Sequence, residues 1–144
     1  NRRLAVQILY AWDLNPCIIR QQLKEYINDL IENYGDEPPS YYRFASELSI
    51  GAIENQDVID ALIQKHTQNW QISRIAKVDL AILRIATYEM LFREDIPPVV
   101  SMNEAIELGK ELASDESSRF LNGVLDNMRS EIDRPARTPV KPQR

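Results

Sequence analysis

Apolar residues recur along this chain at intervals of three and four, the period of a helix with one buried face. Leu4, Ile8, Leu9 and Trp12 form a first stripe, which Asn15-Pro16 ends because the residue before a proline is pushed out of the helical region. Leu23, Tyr26, Ile27, Leu30, Ile31 and Tyr34 form a second, stopped at Gly35. After the loop "GDEPP", Ser40 is expected to cap a third helix carrying Phe44, Ala45, Leu48 and Ala52, and Asn55 a fourth carrying Ile59, Leu62 and Ile63. Ser73 is expected to open the strongest stripe, Val78, Ile82, Ile85, Ala86 and Met90, which ends at "REDIPP". Ser101-x-x-Glu104 has the form of a capping box ahead of Ala105, Ile106, Leu108 and Leu112. Leu121, Val124, Leu125, Met128 and Ile132 mark the last helix.

No segment alternates with the period of a strand, so the pattern predicts an all-α fold of about seven helices, with prolines at the boundaries. Residues 1–133 are expected to form one domain of two helical lobes, divided near residues 70–73. The segment from 134 to 144, rich in proline and arginine and without periodicity, is expected to be a disordered tail. Gly51, Gly109 and Gly123 fall inside helical patterns, where glycine costs about 1 kcal/mol against alanine. Close helix–helix approach is the compensation expected at these positions.

Composition adds a charge asymmetry. Residues 36–128 carry eight Lys/Arg against sixteen Asp/Glu, a balance of −8, whereas residues 129–144 carry five against two, a balance of +3. An acidic body argues against nucleic-acid binding by the whole surface and leaves room for a small local basic site. The single cysteine, Cys17, cannot form an intramolecular disulfide, which fits a reducing cytoplasm. No apolar run approaches the ~20 residues of a membrane span.

Catalytic patterns are missing from the sequence. It has no phosphate-cradling glycine loop, no metal-ligand spacing and no nucleophile–base arrangement, so neither a metal nor a cofactor is expected. His66, the only histidine, reads as a surface or half-buried helix residue. The carboxylate pairs Glu94–Asp95 and Asp115–Glu116 could divide acid and base work, or could be turn and first-turn acids placed to suit a helix dipole. Tyr10, Trp12, Trp70 and Tyr88 could stack a ligand or fill a core. The residues point to a binding module rather than an enzyme.

The segment from 74 to 128 contains, in order, "VDLAILR", "YEML", "IPP", "NEAIEL" and "FLNGVLD", and the chain begins with "LAVQILYAWDLN" after two arginines. In this combination the chain resembles the NusB transcription antitermination family. The resemblance implies an all-α fold of two packed helical bundles and a non-enzymatic role. It implies binding to the boxA element of ribosomal RNA leader transcripts together with NusE, a small-subunit ribosomal protein. That complex would help the RNA polymerase elongation complex read through terminators. The NusB-like domain of ribosomal RNA cytosine methyltransferases is the nearest alternative, but those domains tend to carry "NAVLR" where this chain has "NGVLD". A helical protein–protein module without RNA binding is a further alternative.

Carried onto matching positions, the resemblance makes Arg2 and Tyr10 from the first helix and Glu116, Arg119 and Phe120 from the hinge "ASDESSRF" candidate RNA contacts. Arg119 would meet a phosphate, and Phe120 or Tyr10 would stack on an unpaired base. Arg3 is added on charge alone. Asp79 matches an acidic position that in the family helps hold NusE.

Overall fold

A helix with apolar residues on every side must be buried all round, and "VDLAILRIATYEM" becomes the central helix of the molecule. The structure, a computed structural model, describes residues 1–14, 22–67 and 71–132, and at Tyr34 and Pro39 the backbone alone. Among these residues the regular elements are α1 (Arg2–Leu14), α2 (Leu23–Tyr34), α3 (Arg43–Glu54), α4 (Gln56–Lys65), α5 (Lys77–Phe92), α6 (Pro98–Leu112) and α7 (Asp115–Arg129), with 3₁₀ turns at Pro39–Tyr42 and Ile72–Arg74. Helix α5 touches α1, α3 and α4 on one side and α6 and α7 on the other. Two packed helical bundles thus share one continuous apolar core that runs from Leu4 to Met128.

The predicted stripes supply that core. Ile8, Leu9, Ile27, Leu48, Ile59, Ile63, Ile82, Leu121 and Leu125 are all fully buried. Two glycines permit close approach, as expected. A Cβ on Gly51 would lie 2.1 Å from the Tyr88 ring, and one on Gly109 would lie 2.6 Å from Leu121 where α6 crosses α7. Gly123 departs from the expectation: nothing lies within 4 Å of the place its Cβ would occupy.

Buried charge also joins the bundles. The Arg84 guanidinium donates to both oxygens of Asp60 on α4 at 2.9 Å and lies 3.5 Å from Asp13 on α1, which also pairs with Lys77 at 2.9 Å. At the far end of α7, Glu131 meets Lys65 at 2.7 Å and the half-buried His66 at 3.2 Å, which fixes this end to α4.

Helix starts are where the sequence reading fails. Ser40 lies in a 3₁₀ turn, and α3 begins three residues later without a side-chain cap from its own N-cap residue. Asn55 does precede α4, but its amide donates back to the Gly51 carbonyl at 2.8 Å instead of capping α4. Ser73 sits in a 3₁₀ turn ahead of α5. Ser101 is no N-cap: α6 already starts at Pro98, and the buried Ser101 hydroxyl donates to Glu89 at 3.0 Å. Proline at the first helical turn has no N–H to leave unpaired, so Pro97-Pro98 sets the start by itself. Gly35 ends α2 as expected, with an ordinary negative φ of −86°. Cys17, Trp70 and the tail at 134–144 lie outside the described residues.

Candidate nucleic-acid interface

The hinge between α6 and α7 owes its form to one serine. Ser114 is the N-cap of α7, and its hydroxyl accepts the Ser117 N–H at 3.0 Å while its carbonyl accepts the Ser118 N–H at 3.1 Å. The N–H groups of Asp115 and Glu116 lie ahead of the first helical bond, so helix geometry gives them no partner within α7. Both acids stand exposed in the first turn, where the helix dipole favours them. One turn on, Arg119 is exposed and forms no ion pair among the described residues, so its guanidinium is available to a phosphate.

Beside this mouth lies a cleft of about 240 Å³ lined by Arg74, Asp79, Ser114, Glu116, Ser117 and Phe120, together with Ile75 and Ala76. Asp79 comes from the first turn of α5 and is only 7% exposed. The Ser117 hydroxyl donates to its Oδ2 at 3.2 Å, while the buried Oδ1 has no hydrogen-bond partner among the described residues. Burial pushes the Asp79 carboxyl above the usual carboxylate range, and the Ser117 bond offsets part of that rise. A buried acid with one oxygen unpaired is costly to the fold.

Helix α1 supplies the other candidates. It runs antiparallel to α5, with Arg2 beside Glu89 at one end and Asp13 beside Lys77 at the other. Arg3, Gln7, Tyr10 and Leu14 share its exposed face at spacings of four, three and four. Arg3 reaches Glu111 near the end of α6, so α1 is tied to the helix that leads into the hinge. Tyr10 is 37% exposed and borders a separate apolar groove of about 360 Å³ with Leu4, Ile8, Leu14 and Leu30. Arg2 is differently placed: its guanidinium is bound to the buried Glu89 carboxylate, with contacts of 2.7 and 3.1 Å.

Glu116, Phe120 and Asp79 therefore share one cleft. Arg119 stands exposed on the same helix, and Arg3, paired with Glu111 on α6, lies outside the cleft. Tyr10 and Arg2 do not line that cleft. Sequence reasoning missed Ser114 and Arg74. Ser114 was findable, because a serine followed by two acids is the signature of an N-cap with a favourable first turn. Arg74 reaches the cleft through a 3₁₀ turn that no periodicity marks.

Among the described residues no group of three or more His, Cys, Asp or Glu could hold a metal ion, and no helix is long and apolar enough to cross a membrane. Asp95 is held by the Arg93 guanidinium through two bonds of 2.9 Å, so Asp95 belongs to a surface ion network that also includes Glu47.

Comparison with known proteins gives this arrangement its family. The NusB family model matches residues 1–130. Transcription antitermination protein NusB of Bacillus subtilis is 44% identical over 132 residues, covering 92% of this chain and 94% of its own. The crystal structure of antitermination factors NusB and NusE in complex with dsRNA aligns with a TM-score of 0.77 at 26% identity, over 90% of this chain and 92% of that one. T. maritima NusB aligns with a TM-score of 0.76 at 33% identity, over 94% of this chain and 90% of that one. The chain belongs to the NusB family.

Proposed function

We propose that the chain is a transcription antitermination factor that binds boxA RNA of ribosomal leader transcripts together with NusE and acts, without catalysing a reaction, on the RNA polymerase elongation complex in the cytoplasm. One observation carries this reading: two unlike surfaces meet at the mouth of α7. On one side stand an unpaired Arg119, the unused first-turn N–H groups and Phe120, which suit phosphate and a base. On the other, the buried Asp79 lines the cleft and keeps one carboxylate oxygen without a hydrogen-bond partner among the described residues. RNA and a basic protein are a matched pair of ligands for such a mouth. The relative crystallised with NusE and dsRNA supports both.

Arg3 and Arg119, with Arg74 at the rim, give few phosphate contacts, and the body is acidic. Each contact contributes about −0.7 to the salt slope for a single strand. RNA affinity of the chain alone is therefore expected to be weak, with a slope on the order of −2. NusE provides a second surface for the same RNA, so the pair binds more tightly. Titrating labelled boxA and scrambled RNA against the chain, with and without NusE, checks this. Preference for boxA that sharpens with NusE is expected; no binding of boxA in either condition overturns the proposal.

A further inference from the structure

The start of α1 is held by an unusual number of bonds for an exposed helix end. Arg2 Nε lies 3.1 Å from each oxygen of Glu89, and its terminal nitrogen lies 2.7 Å from one of them. Glu89 is 1% exposed, and the Ser101 hydroxyl on α6 donates to the same carboxylate at 3.0 Å. The Arg2 guanidinium also lies 5.2 Å from the centre of the Phe44 ring, against which Arg93 stacks at 5.3 Å. Asn1 adds a third anchor. Its side-chain oxygen accepts the Ala45 N–H at 3.1 Å, in the first turn of α3, where the N-cap residue Tyr42 supplies no side-chain cap.

We propose that Glu89 is a positioning residue for the RNA site: it grips Arg2 and so fixes the start of α1, and Arg2 itself does not contact phosphate. The inference rests on the functional reading above and revises one part of it. For Arg2 to meet RNA it would have to leave a carboxylate that is almost wholly out of water, giving up contacts of 2.7 and 3.1 Å to a buried charge. Arg3 has no such obligation. Its partner Glu111 is half exposed, and an exposed pair exchanges readily for a phosphate. Holding Arg2 inward turns Arg3, and Tyr10 two helical turns further along, to the outer face of α1. The RNA contacts of this helix then come from Arg3 and Tyr10.

The test compares boxA affinity and its salt dependence, in the presence of NusE, for the full chain and for Glu89→Gln, Arg2→Lys and Arg3→Ala. If Glu89 positions, Glu89→Gln weakens RNA binding roughly 2- to 30-fold, the range seen for residues that touch neither ligand, and leaves the salt slope unchanged. Arg2→Lys, which keeps the charge but loses the two-pronged grip, weakens binding in the same way. Arg3→Ala makes the slope shallower by about 0.7. If Arg2 is instead a phosphate contact, Glu89→Gln frees it, and binding becomes tighter with a steeper slope; that result overturns the proposal.

Amide exchange at Ala5, whose N–H is bonded to Asn1 O at 2.9 Å, reads the anchor without RNA. Faster exchange in Glu89→Gln and Arg2→Lys, with global stability retained in at least one, is expected. Unchanged exchange in a folded variant overturns the anchor. Failure of the unaltered chain to bind boxA would remove the functional reading instead.

Discussion

Helix α5 carries two buried acids, one near each end, and they live in opposite states. Glu89, 1% exposed, is chelated by Arg2 and receives the Ser101 hydroxyl. Asp79, 7% exposed, receives only the Ser117 hydroxyl and keeps one oxygen unpaired. Both join α5 to the start of another helix. The first junction is complete within the chain and works as structure. The second is incomplete among the described residues, and under the proposed function a ligand supplies the missing donor. The difference teaches how to separate framework from site when both are built of buried charge: count the bonds each group still lacks.

The largest effect is expected from removing the completed acid. Glu89→Ala leaves Arg2 facing an apolar wall, and breaking a buried pair by deleting one partner typically costs 3–5 kcal/mol. Arg2 keeps 21% of its side chain exposed and can turn partly to water, so a loss of about 3 kcal/mol is expected in denaturant unfolding. A loss within 0.5 kcal/mol, the ordinary surface range, would erase the contrast with Asp79.

Asp79→Asn should act in the other direction. Because burial raises the folded-state value of this carboxyl, the unfolded chain ionises first as pH rises. Asp79 is therefore neutral for stability below its unfolded value of about 3.8 and unfavourable above its folded one. The variant should melt with the parent protein at pH 3 and above it at pH 7, while binding NusE more weakly. A variant that melts lower at pH 7 and binds NusE normally would make Asp79 a structural acid like Glu89.

Arg119→Glu sits at the small end for stability and the large end for binding. As an unpaired exposed residue it should change stability by no more than about 0.5 kcal/mol, yet it replaces a phosphate donor with a like charge. RNA affinity should fall with the melting temperature unmoved. A variant that unfolds would show that the side chain carries part of the core.

The fold was legible because periodicity reports burial, and Ile8, Leu48, Ile82, Leu121 and their neighbours all turned inward as the stripes required. Partnerships between distant residues carry no such signal. Arg2 read as an RNA contact because Glu89 stands 87 positions away, and the Ser117 bond to Asp79 left no mark because the two stand 38 positions apart. Ser101 was misread for a related reason: its hydroxyl serves Glu89 across α5 and α6 rather than its own backbone. Motif spacing still located the hinge, since Glu116, Arg119 and Phe120 depend on α7 alone for their arrangement. It could not reveal that Asp79 shares the cleft with two of them.

One titration tests the adaptor role most directly. If RNA and NusE meet at the mouth of α7, each must tighten the other's hold on the chain by the same factor, because binding free energies are linked. NusE should be titrated against the chain with and without saturating boxA RNA, with a scrambled RNA as control. The expected result is a lower Kd for NusE with boxA alone, by a factor equal to the gain in RNA affinity that NusE confers. An unchanged Kd would contradict the adaptor mechanism and leave only the fold and the family standing.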